Sequence, residues 1–148
     1  MLSDHYDPTE GSDPPLFTPP AQALITAAAR PWQEKGRALP GFFGMTCTDR
    51  NAFGAVAMPE RSLPQRPGET EWNLENARAG QLFNYPDTRD LARMSQPSWH
   101  KPYRRPIATG GVMLLKQVVA SIRVNDHHWG IVQLAYEDQT GVQLARTA

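Results

Sequence analysis

The stretch Gly111 to Val124 constrains this chain more than any other. Over fourteen residues it alternates in side-chain character, as a β-strand with two distinct faces requires. One face would carry Val112, Leu114, Lys116, Val118, Ala120, Ile122 and Val124, and the other Met113, Leu115, Gln117, Val119, Ser121 and Arg123. The first set is the more apolar and is expected to face the core. Asn125-Asp126-His127-His128 supplies a turn, and Trp129 to Glu137 reads as a last strand pairing antiparallel with its predecessor. Upstream, Trp99-His-Lys-Pro-Tyr103 is extended and aromatic, and Pro102 and Pro106 confine it to a sheet edge or a strand end.

The first half reads differently. Ala21 to Arg30 is an alanine-rich helix with Leu24, Ala28 and Trp32 on one face; Pro31 predicts a kink, or two short helices ending at Gly36. Phe42 to Thr48 and Ala52 to Met58 flank the polar turn Asp49-Arg50-Asn51 and suggest a hairpin. Pro59 to Glu71 reads as an irregular loop. Glu71 to Gly80 is a short helix closed by Gly80, and Gln81 to Ser95 adds helical turns interrupted at Pro86, with Asp87 or Thr88 as N-cap. The whole is an α+β domain: a five-stranded antiparallel sheet, an N-terminal helix over 21–40 and a helical insert between the second and third strands. Such a sheet can enclose a small pocket beneath the insert.

Composition narrows the function. Lys plus Arg and Asp plus Glu each number 15, so no global field attracts nucleic acid. The balance is uneven, because residues 1–20 hold Asp4, Asp7, Glu10, Asp13 and five prolines but no Lys or Arg. They are expected to form a disordered acidic leader, as 139–148 is expected to form a C-terminal tail. The remainder carries 15 basic against 11 acidic side chains. No secretion signal or membrane-length apolar run occurs, which points to a cytoplasmic chain without a membrane partner. Cys47, the single cysteine, is expected to be a buried apolar residue in a strand.

Several short motifs occur in order: Asp49-Arg50-Asn51, Trp72-Asn73 with Asn76 and Arg78, Phe83, Tyr103-Arg104-Arg105, Gly110-Gly111, Met113 with Lys116, and His128-Trp129-Gly130 with Leu134 and Tyr136. Through them, residues 41–138 resemble the PAS-like or Cache-like sensory module of bacterial methyl-accepting chemotaxis proteins and related signal-transduction proteins. The family segment after Asn76 usually resembles Cys-Arg-Asn-Arg-Arg, whereas here it is Ala77-Arg78-Ala79-Gly80-Gln81, and His127 stands where arginine is typical. The resemblance implies a sensor of a small ligand. Without heptad-bearing helices or a kinase motif in the chain, a chemoreceptor or kinase partner would carry the output.

The cluster Arg78, Arg89, Arg93, Trp99, Tyr103, Arg104 and Arg105 is the candidate ligand site. Guanidinium forks grip a carboxylate, and an aromatic wall excludes water from that bond. A small anionic metabolite is the ligand class this implies. The competing reading leaves these arginines solvated or paired with Asp87, Asp90 and Glu75. His127 and His128 read as turn residues rather than metal ligands, Trp72 and Trp129 as core anchors, and no haem or other cofactor is specified. Gly-x-Ser-x-Gly, Walker and His-Glu-x-x-His motifs are absent, so catalysis is not expected. The alternative function is a non-catalytic interaction or homodimerisation module with a filled pocket.

Overall fold

The computed structural model describes residues 6–106 and 110–137. In order they form helix α1 (Gln22–Gly36), strands β1 (Phe42–Asp49) and β2 (Gly54–Val56), a 3-10 turn (Pro59–Arg61), helices α2 (Thr70–Asn76) and α3 (Pro86–Ala92), and strands β3 (Ser98–Pro106), β4 (Val112–Val124) and β5 (His127–Glu137). The strands make one antiparallel sheet in the order β2-β1-β5-β4-β3, so the last strand lies at the centre. The fold is α+β, as the alternation and the helical segments require. The tail at 139–148 lies outside the described residues.

Turn chemistry sets both hairpins. Asp49 Oδ1 accepts the backbone N–H of Asn51 (2.8 Å) and of Phe53 (2.9 Å), while Ala52 takes a left-handed φ of 67°. Asn125 and Asp126, at φ 48° and 61°, make the two-residue turn between β4 and β5. His127 and His128 therefore belong to β5 rather than to the turn. His128 Nε2 lies 2.9 Å from the Ala92 carbonyl oxygen and donates to it, fixing the ring against the end of α3.

Helix α1 runs through Pro31 as a single helix, with that proline on its exposed side. The face turned inward is not the expected one. Leu24 and Trp32 are 74% and 61% exposed, whereas Ala29, Gln33 and Gly36 are buried. Small residues allow close approach: a Cβ on Gly36 would stand 2.6 Å from the Phe42 ring. Gln33 completes the contact by donating to the carbonyls of Met45 (2.8 Å) and Ala57 (3.1 Å). Gln33 thereby satisfies two carbonyls that the close packing of the helix covers, and an unpaired buried carbonyl would carry the full desolvation cost.

Helix α1 packs on β1 and β2, over a core of Ala29, Met45, Cys47, Phe53, Ala55, Val56 and Trp129. Helix α3 packs on β5, where Ala92, Val119 and Ile131 form a second cluster. This arrangement decides the faces of β4, and it reverses the expectation. Leu115, Gln117 and Val119 are buried, while Val112 and Leu114 are 53% and 66% exposed. Both faces of the strand carry apolar residues, so alternation alone does not say which one the insert covers.

The leader is also corrected over its described part. Instead of a disordered tail, residues 6–20 fold back on the domain. The Phe17 N–H donates to the Gly80 carbonyl (2.8 Å), Asn73 Nδ2 donates to the Asp13 carbonyl (2.9 Å), and the Tyr6 ring packs against Phe53. Tyr6, Leu16 and Phe17 are the apolar anchors that the acidic, proline-rich composition masks.

Burial pushes the Cys47 thiol up to about 11. At pH 8 its thiolate fraction is then about a hundredfold below that of an ordinary cysteine. Ellman's reagent is expected to label the native chain at least that much more slowly than the denatured chain, and equal rates would contradict the burial. Because the folded state holds this proton longer than the unfolded state does, stability should fall as pH rises from the ordinary thiol range toward 11.

Candidate functional site

A cleft of about 480 Å³ lies between the helical insert and the sheet face opposite α1. Its floor comes from the central strands and its roof from the start of α3, with Tyr85, Thr88 and Leu91. Two glycines make the space. A Cβ on Gly54 would stand 2.5 Å from the Phe83 ring, and one on Gly44 would stand 3.2 Å from Met58 Cγ. Their absence of side chains lets the ring and the thioether close one end of the cleft.

Polar residues occupy the middle of the floor, where apolar ones would pack more favourably. Gln117 on β4 and Gln133 on β5 approach at 3.5 Å, and Gln133 Nε2 donates to Thr48 Oγ1 on β1 at 3.3 Å. These bonds are long, so the amides retain hydrogen-bonding capacity toward the cleft. Around this polar rail stand Arg61, Arg78, Lys101, Arg104 and Arg105, with Asp87 as the only acid among the described lining residues. Phe43 lies beneath two of the cations, its ring centre 5.4 Å from the Arg61 guanidinium and 5.2 Å from that of Arg105.

Glu75, on α2, accepts hydrogen bonds from both Arg61 and Arg105. Burial raises its carboxyl, but the bond from Arg61 and the charges of Arg105, Arg61 and Arg78 outweigh that and hold it below the usual carboxylate range. The pairing is therefore present above that range and is lost as pH falls through the lowered value. Arg78 also donates to the Leu74 carbonyl at 3.1 Å and lies 4.9 Å above the Phe83 ring.

Of the residues singled out in the sequence, Arg78, Arg104 and Arg105 border the cleft. For Arg105 the anticipated ion pair with Glu75 is present as well. Tyr103 pairs with Leu115 in the β3–β4 ladder. Arg89, Arg93 and Trp99 do not line the cleft. Arg89 is exposed on α3, Arg93 donates instead to the Arg50 carbonyl at 3.3 Å, and Trp99 is 46% exposed near the start of β3. Sequence proximity grouped them with Arg104 and Arg105, but β3 is extended and carries its start far from its end.

Sequence reasoning missed Arg61, Lys101, Gln117 and Gln133. Lys101 and Gln117 pair across β3 and β4, and Gln117 stands between the buried Leu115 and Val119, but nothing local marks either as a cleft residue. Arg61 had no signal either, being one base in a proline-rich loop. Among the described residues, no group of three or more His, Cys, Asp or Glu is arranged to hold a metal ion. Trp129 is buried as a core anchor, whereas Trp72 is half-buried with the Arg66 guanidinium 3.8 Å from its ring centre.

No family model, curated protein or solved structure matches the chain.

Proposed function

We propose that this chain is a sensory domain of the PAS-like or Cache-like kind that binds a small anionic metabolite in the cleft beneath its insert, without catalysing a reaction. The observation that carries this reading is the cleft lining: among the described residues, five cationic side chains against one acid, with Glu75 outside the lining paired to two of the five, around a rail of two glutamine amides. Its volume of about 480 Å³ suits a small organic acid, and concave sites of a few hundred cubic ångströms are the usual size for such ligands. Guanidinium and ammonium groups would take the acid groups, and the amides would fix orientation. A cytoplasmic chemoreceptor or kinase would receive the signal.

Calorimetric titration with a panel of amino and organic acids, succinate included, tests this. At least one acid is expected to bind, and the double variant Lys101→Ala/Arg105→Ala should weaken it by roughly thirtyfold, as loss of charge-assisted hydrogen bonds implies. Failure of every acid to bind, or undiminished binding by the double variant, would overturn the reading.

A second reading, a homodimerisation or protein-interaction module, is favoured by one specific observation. Val112, Leu114 and Val124 lie 49–66% exposed on β4, on a stretch of sheet that α1 does not cover. Sedimentation of the native chain and of Leu114→Glu separates the two readings. A monomer in both cases favours the sensor alone, whereas a dimer lost in the variant establishes the module.

A further inference from the structure

Two arginines that border the cleft, Arg61 and Arg105, converge on a carboxylate that belongs to the protein itself. Arg61 comes from the 3-10 turn before the insert and Arg105 from β3 after it, while Glu75 comes from α2 within it. The burial is asymmetric. Arg105 and Arg61 are 14% and 28% exposed in their side chains, against 45% for Glu75. The cations are thus held in place from below, by the Phe43 ring, and the acid reaches them from the solvent side.

The element carrying that acid is short and largely solvent-facing. Helix α2 has seven residues, no side-chain cap at its N-terminus, and Asn73 as its one buried residue. A helix so short has little stability of its own and depends on its tertiary contacts. The Glu75 pairing is one of them; the hydrogen bonds of Asn73 to the Asp13 and Arg66 carbonyls are others.

We infer that Glu75 occupies the seat that a ligand's acid group takes, so that a carboxylate or phosphate entering the cleft displaces Glu75 from Arg61 and Arg105 and loosens α2. This rests on the reading of the cleft as an anion site. Two anions cannot share one pair of guanidinium groups without mutual repulsion, and exchanging one for the other leaves both arginines paired. The ligand would then release part of the insert rather than order all of it, turning occupancy of the cleft into a change at its outer wall.

Calorimetry and hydrogen exchange on the full chain test this, with succinate and inorganic phosphate as probes and with Glu75→Gln compared against Glu71→Gln, one turn earlier on α2. Removing the internal competitor removes the fraction of time the seat is filled, so Glu75→Gln is expected to bind the anion roughly tenfold more tightly, with Glu71→Gln unchanged. Saturating anion should speed amide exchange over residues 70–76 in the native chain. In Glu75→Gln that exchange should already be fast and should not respond. Equal or weaker binding by Glu75→Gln, or slower exchange over 70–76 in the liganded native chain, overturns the displacement and leaves the cleft reading standing. If neither protein binds either anion the seat is overturned, and if no acid of the wider panel binds, the cleft reading falls with it.

Discussion

Gly130→Ala is expected to destabilise the domain by about 3 kcal/mol or more, a large part of the stability a domain of this size has. Gly130 lies opposite Asp49 in the β1–β5 ladder. A Cβ there would stand 2.1 Å from the Thr48 carbonyl oxygen and 2.6 Å from the Asp49 Cα. Both obstacles are backbone, so no rotamer change relieves them; the two central strands would have to part. Parting them would also strain the hydrogen bond from the Arg50 N–H to the Trp129 carbonyl, 2.8 Å long. Gly44→Ala is the informative comparison. Its nearest neighbour is the flexible Met58 side chain at 3.2 Å, and a cost below about 1.5 kcal/mol is expected. Urea denaturation of the two variants checks both values, and similar losses in both would contradict the close approach of β5 to β1.

Asp49→Ala is the second large effect, at about 3 kcal/mol. Asp49 is 7% exposed, and its carboxylate accepts two backbone N–H groups through Oδ1 and the Tyr6 hydroxyl through Oδ2. One of those donors belongs to Phe53, which is 1% exposed, so water does not replace the lost acceptor. Each buried donor left unpaired costs on the order of 1–3 kcal/mol. Asp49→Asn keeps an oxygen for the turn and should lose clearly less. Denaturation midpoints for the pair decide the matter: a loss within about 0.5 kcal/mol of the native chain for Asp49→Ala would mean that the turn does not depend on this side chain.

How much of this was legible in the sequence depended on which physical signal each element carried. The long alternation in β4, the extended β3 between prolines, and the alanine-rich α1 were readable because a single periodicity governs each. The sequence reads Pro86 as an interruption with Asp87 or Thr88 as N-cap, whereas α3 starts at Pro86 with Tyr85 as its N-cap, because proline suits the first helical turn. Which face of β4 and which face of α1 turn inward was not readable. In α1 the inward face carries Gln33, which finds the carbonyls of Met45 and Ala57, and in β4 it depends on where α1 and the insert lie. Both are tertiary facts with no local trace.

The candidate site divides the same way. Arg78, Arg104 and Arg105 belong to one basic and aromatic cluster of the sequence, and these three border the cleft. Arg89, Arg93 and Trp99 were grouped with them by nearness along the chain, and an extended strand separates residues that a helix would gather. The polar floor was hidden in plain alternation. Gln117 lies between Leu115 and Val119, and its place in the cleft follows only from the pairing of β4 with β5. The ion pair of Glu75 with Arg61 and Arg105 joins three segments, and no local pattern announces it.

The most direct measurement is a nitrogen-proton NMR titration of the native chain with the panel acid that binds most tightly, following the side-chain amide signals of Gln117 and Gln133. Binding in the cleft predicts that both pairs of amide signals shift saturably, together with the guanidinium signal of Arg105, while the backbone signals of Val112 and Leu114 on the opposite face stay in place. Unmoved glutamine signals at saturation, or shifts confined to the Val112–Leu114 face, would contradict it.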